Sequence, residues 1–180
     1  MVMLRGFSQL PNLPGFGETY RLNPAAIAAY PMYRGLAKVC GMEVIPTGAT
    51  FRDEMDTLSG HFQEHDFFYL HYKHADAAGE DGDFDAKVHA LEEVDEYIPA
   101  LIDLNPDTLI VSGDHATPSI LAAHSWHPVP LLIHSNLTLG EGVAAFDERN
   151  CALGSIGRIP ATQVMLLALA HAGKLVKFGP

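Results

Sequence analysis

Cysteine, basic side chains and long apolar runs are all scarce in this chain of 180 residues. Its two cysteines, Cys40 and Cys151, are too few for a disulfide framework and are not spaced like zinc-knuckle ligands. We therefore expect buried thiols in a reducing compartment, which agrees with a cytoplasmic location. No apolar run approaches the roughly 18 residues that span a bilayer, and residues 1–5 do not resemble a signal peptide, so no membrane partner is expected.

Positive charge is also in short supply, because 11 Lys and Arg face 22 Asp and Glu, giving a net charge of −11 with neutral histidines. Such a chain is a poor general binder of nucleic acids or anionic membranes. An anionic substrate would need local neutralisation by a few basic side chains or by metal ions. The 48% hydrophobic and 18% charged content excludes a disordered or fibrous protein and favours a folded domain with a real core.

The order of predicted elements indicates an α/β fold with a mostly parallel sheet, because short apolar strands alternate with helices. Residues 1–22 are rich in proline and glycine and are interpreted as a linker, and residues 23–180 as the metal-binding domain. The predicted strands are 42–45, 67–71, 109–111 and 131–133. The predicted helices are 23–39 with a kink at Pro31, 50–65, a long helix from Asp83, and 160–172, and a polar loop is expected over 73–82.

Acidic residues and histidines gather next to three of these strands. They lie in segments 73–83, 112–118 and 124–130. Ligands in open α/β sheets bind beyond the carboxyl ends of strands, so these segments are expected to meet at one edge of one sheet. Carboxylates and imidazoles without thiolates suit Mn²⁺, Zn²⁺ or Mg²⁺. The sequence therefore predicts a metal site there.

Each cluster also has an ordinary structural interpretation. Asp81 and Asp83 are expected to form a turn and a helix N-cap rather than a ligand pair. Asp76 and Glu80 are equally well explained as solvated acids of an acidic protein. Only one of His124 and His127 is expected to be a ligand. The roles of His71, His74 and His134 stay open, whereas His61, His65, His89 and His171 lie on predicted helices and are taken as structural or solvated.

These segments resemble the archaeal-type, cofactor-independent phosphoglycerate mutases of the alkaline phosphatase superfamily. The resemblance is carried by Gly113-Asp114-His115, the His-Ser-x-x-Pro-Val-Pro pattern of 124–130, and the Asp-x-x-Gly of 76–79, and it extends over nearly the whole chain. It implies an alkaline-phosphatase-like three-layer sandwich. It also implies transfer of a phosphoryl group between the 3- and 2-hydroxyls of glycerate through a phosphoserine, with two divalent ions clamping the reacting oxygens.

The resemblance also implies a ligand for each ion. Asp76, Glu80 and His124 would hold one ion, and Asp114 and His115 the other. Glu80 stands where many relatives have histidine, which favours Mn²⁺ or Mg²⁺ over Zn²⁺, with Mn²⁺ preferred and Co²⁺ as a further alternative. Arg5 corresponds to a substrate-binding arginine, although an exposed terminal arginine is an equal interpretation, and Lys73 is a further candidate for the substrate phosphate.

Members of this family are about twice as long as this chain, and the missing part would contain the nucleophilic serine. Ser112 and Ser119 do not match that position, so no catalytic residue is assigned and the chain by itself is expected to be inactive. The fold is accordingly expected to be incomplete. Two alternatives stay open: another metal-dependent phosphohydrolase or phosphomutase of the superfamily, or a non-catalytic metal-binding remnant or split-enzyme subunit that is completed by a separate amino-terminal chain.

Overall fold

The computed structural model describes residues 9–138, 140 and 143–175. Arg5, one of the two predicted substrate-binding residues, lies outside these ranges. The chain forms two compact units, Met1–Tyr72 and Lys73–Pro180. Each is described below by itself. The division into a linker over 1–22 and a domain over 23–180 stays a prediction, although a short helix, α1 (Phe16–Tyr20), lies within the segment interpreted as a linker.

The first unit is built on a parallel sheet of three strands in the order β2-β1-β3. The strands are β1 (Pro24–Ala28), β2 (Glu43–Val44) and β3 (Phe67–His71). All five residues of β1 are buried, because this strand is the centre of the sheet and helices α2 (Pro31–Val39) and α3 (Phe51–His61) both contact it. The α/β prediction is thereby confirmed for this unit.

The predicted helix over 23–39 is wrong in its first half, where the chain forms β1 instead. Asn23 does not cap a helix, because its side-chain amide donates to the carbonyl oxygen of Glu64 at 3.0 Å. The helix begins only at Pro31, which occupies its first turn and does not kink it. The apolar run of 25–28 suits a buried strand as well as a helix, and burial in the middle of the sheet decides between them.

Helix α3 begins where the sequence predicts and ends earlier, at His61 rather than 65. Its start is fixed by a capping box, since the side chain of Thr50 accepts from the backbone of Asp53 and the Asp53 side chain accepts from the backbone of Thr50. Phe51, Met55 and Leu58 are buried on one face. These are three of the residues whose spacing predicts the helix.

The second unit opens with two helices that pack on each other, α4 (His74–Glu80) and α5 (Phe84–Asp103). The predicted polar loop over 73–82 is therefore wrong over most of its length. Ala75, Ala77 and Ala78 favour a helix despite the acidic neighbours. Asp83 caps α5 by accepting from the backbone N–H of Ala86, as expected.

A two-stranded antiparallel sheet follows, formed by β4 (Thr108–Ser112) and β5 (Leu131–Ser135). Both strands lie where the sequence predicts, but the expected parallel pairing is wrong for them. A parallel pair needs a crossover connection, usually a helix, and residues 113–130 contain only turns and an isolated bridge between Ala116 and Ser125. The remaining elements are α6 (Glu148–Cys151), a 3₁₀ turn (Ala161–Gln163) and α7 (Val164–His171).

The structure bears on the expected buried thiols and on membrane-spanning helices. Cys40 and Cys151 are free thiols, but both are half-buried rather than buried. Cys151 ends the four-residue helix α6, which buries none of its side chains. Within 9–138, 140 and 143–175, no helix has the length and apolar content needed to cross a bilayer.

Glu54 is an acidic side chain inside the core of the first unit, where it is only 3% exposed. Its Oε1 accepts from the backbone N–H of Ala29 at 2.6 Å, whereas Oε2 is buried without a hydrogen-bond partner. Burial raises the pKa of Glu54 to about 7, and the Ala29 hydrogen bond offsets only part of this effect. Because the pKa is higher in the folded than in the unfolded chain, folding favours the protonated carboxyl.

This raised pKa predicts a stability that falls with pH. The contribution of Glu54 is fully present below about pH 4.5, and about 3 kcal/mol is lost as the pH rises through 7, because the folded chain must then ionise a buried group. In Glu54→Gln this loss is absent. Urea unfolding between about pH 4.5 and 7.5 should show the free energy of unfolding of the wild-type chain falling relative to that of Glu54→Gln as the pH rises. Parallel pH profiles of the two proteins would contradict the prediction.

Candidate metal centre

The candidate site is assembled by the second unit from one helix and two loops. Asp76 lies in the first turn of α4, His115 lies just after β4, and His124 lies before β5. Because β4 and β5 are antiparallel, the last residue of β4 pairs with the first residue of β5, and the two loops begin at the same end of the sheet. The Ala116–Ser125 bridge continues this pairing and holds the two loops side by side. The rings of His115 and His124 consequently lie 3.9 Å apart between centroids.

Asp76, His115 and His124 form a compact ligand cluster. One donor atom from each residue lies within 4.8 Å of the other two. Oδ1 of Asp76 is 3.7 Å from Nδ1 of His115 and 3.8 Å from Nε2 of His124. Ligand atoms that share an ion at about 2.1 Å lie roughly 3–3.5 Å apart, so small side-chain movements would suffice to bind a cation.

The remaining two predicted ligands extend this cluster on opposite sides. Oε1 of Glu80 lies 3.3 Å from Nε2 of His124, and Oδ1 of Asp114 lies 3.6 Å from Nε2 of His115. The structure thus brings together all five predicted ligand residues. Three carboxylates and two imidazoles are a donor set that suits a hard or borderline divalent cation, so the residues present fit the metal ions that the resemblance implies.

Lys73 supplies the positive charge that the carboxylates need. Its Nζ contacts Oδ2 of Asp76 and lies 3.5 Å from Oε2 of Glu80. Burial alone would raise the pKa of Asp76, but hydrogen bonds from Lys73 and Thr117 outweigh it and hold that pKa below its ordinary value. Burial alone would lower the pKa of Lys73. Its hydrogen bond to Asp76 outweighs burial, so the pKa of Lys73 lies above its ordinary value. Asp76 and Lys73 therefore favour their charged forms.

The cluster has an inner and an outer side. The side chain of Asp76 is 18% exposed, whereas those of Asp114 and His124 are 51% and 55% exposed. Asp76 is thus fixed among protein groups, while the outer residues face solvent. A substrate or another protein segment could reach the cluster from that outer side.

Thr117 is a residue of this centre that the sequence reasoning missed. It is only 4% exposed, and its Oγ1 donates to Oδ1 of Asp76 at 2.5 Å and lies 3.0 Å from Nδ1 of His115. The only sequence signal is its position two residues after His115, because extended residues two apart point to the same side.

Several other histidines have contacts or positions of their own. Nδ1 of His127 is hydrogen-bonded to Ser125 Oγ at 2.8 Å, and its ring stacks on Trp126. His71 stacks on Tyr33 in the first unit. His74 begins α4, and His134 is exposed on β5. His61 and His89 pair with glutamates on the surface of their helices.

The chain also matches a known protein family. Residues 2–171 match the family model described as the Metalloenzyme superfamily. The chain belongs to the Metalloenzyme superfamily. Divalent metal binding at the cluster agrees with this membership, while the number and identity of the ions are not given by it.

Two curated proteins that are similar to this chain carry the same name. A protein of Thermotoga neapolitana is 56% identical over 177 residues, and one of Aquifex aeolicus is 49% identical over 179 residues. Each is named "probable 2,3-bisphosphoglycerate-independent phosphoglycerate mutase". The matches cover 98% and 99% of this chain but only 44% of each relative, and they correspond to the relatives' carboxy-terminal part.

Two solved structures share the fold. A protein of Pyrococcus horikoshii superimposes with a TM-score of 0.91 at 27% identity, covering 98% of this chain and 57% of that one. A cofactor-independent phosphoglycerate mutase of Thermoplasma acidophilum gives a TM-score of 0.72 at 25% identity, covering 91% and 40%. The predicted alkaline-phosphatase-like α/β fold, present as part of a larger one, is confirmed.

The central ligands of this metalloenzyme chain can be tested by removing them one at a time. Asp114→Ala and His115→Ala should each weaken Mn²⁺ binding more than the roughly 10–100-fold typical of outer-shell substitutions, because each removes a donor atom. His89→Ala is the control, since His89 is 80% exposed and pairs with Glu92 on its own helix. Calorimetric titration measures the three affinities, and equal values would contradict the ligand assignment.

The two histidines of segment 124–130 are expected to differ. His124→Ala should weaken Mn²⁺ binding strongly because its Nε2 faces Asp76 and Glu80, whereas His127→Ala should have a small effect because His127 bonds Ser125 instead. The same titration, with melting temperatures to check folding, compares the two variants. A larger loss in the His127 variant would mean that the wrong histidine is assigned.

Proposed function

We propose that this chain is the metal-binding part of a cofactor-independent phosphoglycerate mutase. The enzyme would interconvert 3-phosphoglycerate and 2-phosphoglycerate through a phosphoserine intermediate, as a step of glycolysis and gluconeogenesis in the cytoplasm. The observation that carries the proposal is the assembly of the five candidate ligands in one cluster, in a chain whose curated relatives bear that name.

In this proposal each ion has its own ligands. Asp76, Glu80 and His124 hold one ion on the side of α4, and Asp114 and His115 hold the other. Two bound divalent ions would neutralise the phosphoryl group and polarise its oxygens. The carboxylate of Glu80 favours Mn²⁺ or Mg²⁺ over Zn²⁺, with Mn²⁺ as the first choice.

Charge compensation is the main task of the chain's other residues. The net charge of −11 repels an anionic phosphoglycerate unless positive charge at the binding site compensates for it. Lys73 is the described side chain placed for this role, because its ammonium already lies among the carboxylates of the cluster. Arg5 is proposed as a second, bidentate contact to the substrate phosphate.

The nucleophilic serine is proposed to come from the part of the enzyme that this chain does not span. Two serines beside the candidate ligands are engaged elsewhere, since Ser112 Oγ donates to the carbonyl oxygen of Pro130 at 3.0 Å and Ser125 Oγ bonds His127. A serine nucleophile needs an activating group within reach of its hydroxyl. Ser112 Oγ bonds backbone carbonyl oxygens, whereas Ser125 has the imidazole of His127 within reach, so turnover by the chain alone would make Ser125 the first candidate for the nucleophile.

A chimaera tests the proposal directly. The matched region of the Thermotoga neapolitana relative is replaced by this chain, and interconversion of the two phosphoglycerates is followed by ³¹P NMR with Mn²⁺. We expect turnover by the chimaera and none by the 180-residue chain alone. Asp114→Ala should lower turnover by at least about 100-fold, beyond typical outer-shell effects. His89→Ala should leave it unchanged.

Two results would overturn the proposal. Turnover by the chain alone would mean that it contains the nucleophile. A folded, Mn²⁺-binding chimaera that hydrolyses other phosphate esters and leaves phosphoglycerate unchanged would favour a different phosphohydrolase or phosphomutase. Mass spectrometry of the trapped phosphoenzyme locates the modified serine inside or outside the transplanted region.

A further inference from the structure

Thr117 connects the two halves of the candidate centre. Its hydroxyl lies between Asp76, assigned above to one ion, and His115, assigned to the other. A hydroxyl group has a single proton, so it can donate to only one of these neighbours at a time. The direction of the two hydrogen bonds therefore determines which nitrogen of His115 carries a proton.

Only one assignment of protons satisfies both hydrogen bonds of the Thr117 hydroxyl. A carboxylate accepts hydrogen bonds and donates none, so Thr117 Oγ1 donates its proton to Oδ1 of Asp76 at 2.5 Å. Towards His115 the same oxygen can then only accept. Nδ1 of His115, at 3.0 Å, must carry the proton of that bond. Nε2 is left with its lone pair, and Nε2 is the atom that lies 3.6 Å from Asp114.

The position of Thr117 is enforced from a second direction. Its carbonyl oxygen accepts from Nζ of Lys87 on α5 at 2.5 Å. Helix α4 approaches so closely that a Cβ atom at position 79 would collide with the same carbonyl oxygen, which explains why the Asp-x-x-Gly segment has glycine there. The backbone of Thr117 is thus held between α4 and α5 in the unit that contains the ligands, and the residue is only 4% exposed.

We propose that Thr117 is a positioning residue that holds His115 in the Nδ1–H tautomer, so that His115 binds metal through Nε2 on the side of Asp114. The alternative is a single ion shared by Asp76, His115 and His124, whose donor atoms also lie close together. Nδ1 is the His115 atom that lies 3.7 Å from Asp76, and the hydrogen bond to Thr117 occupies it. Thr117 thereby separates two ion sites. This consequence rests on the proposed function, whereas the tautomer does not.

The tautomer is measurable without any metal. In the ¹⁵N-labelled, metal-free chain at about pH 8, where imidazoles are ordinarily neutral, long-range ¹H–¹⁵N spectra report which ring nitrogen is protonated. We expect Nδ1–H for His115 in the wild-type chain, a shift of the proton towards Nε2 in Thr117→Val, and recovery of Nδ1–H in Thr117→Ser. Thr108→Val is the matched control, because Thr108 donates to the carbonyl oxygen of Ala168 on α7 instead.

Mn²⁺ affinity provides the second readout. Thr117→Val should bind Mn²⁺ about 10–100-fold more weakly, as is typical when an outer-shell partner of a ligand is lost. Thr117→Ser and Thr108→Val should stay within a few-fold of the wild-type affinity. Calorimetric stoichiometry should show two ions for the wild-type chain, or one strong and one weak site.

The outcomes distinguish a failure of the proposed role of Thr117 from a failure of the proposed function. An Nε2–H tautomer in the wild-type chain overturns the role of Thr117, and this measurement needs no variant, so a Thr117→Val chain that fails to fold leaves the test intact. Unchanged tautomer and affinity in Thr117→Val also overturn it. A wild-type chain that shows Nδ1–H but binds no Mn²⁺ instead contradicts the proposed function and supports the positioning of His115 by Thr117.

Discussion

The antiparallel pairing of β4 with β5 decides where the candidate metal centre is assembled. It brings the residues after one strand and the residues before the other to the same end of the sheet, and the Ala116–Ser125 bridge joins the two loops there in a shifted register. His115 and His124 stand next to each other for this reason. Without the pairing, the two imidazoles would belong to unrelated turns, and Asp76 on α4 would lose its imidazole neighbours.

A second constraint is the concentration of negative charge in a chain that has few cations. Asp76, Glu80 and Asp114 lie around the two imidazoles, and Lys73 balances part of their charge in the described structure. Carboxylates this close repel one another unless positive charge lies between them. The cluster therefore favours cations, and in the proposed function bound cations would allow an acidic protein to accept a phosphorylated substrate.

The sequence predicted the local features of this chain better than its tertiary ones. The helix starts near Thr50 and Asp83 and the apolar strands 67–71, 109–111 and 131–133 have strong local patterns, and the structure has elements at all of these places. The run 24–28 was predicted as a helix because its burial in the sheet depends on strands far away in the sequence. The strand direction of β5 was missed because nothing local excludes a crossover.

The candidate site shows the same division. Positions next to predicted strands indicated the segments that hold Asp76, Asp114, His115 and His124, and the family resemblance selected these residues within the segments. Thr117 could not be selected, because its importance comes from the approach of α4 to the loop after β4, which is a contact between distant segments. Helix α4 itself was hidden by its acidic residues, although its alanines favour a helix.

The spacing of the ligands along the chain has a consequence for how the centre forms during folding. His115 and His124 are nine residues apart and join through a short loop, whereas the contact of Thr117 with Asp76 spans 41 residues. Closing the shorter loop costs less conformational entropy. Bringing the two imidazoles together therefore costs less conformational entropy than the contact that fixes α4 against the loop after β4.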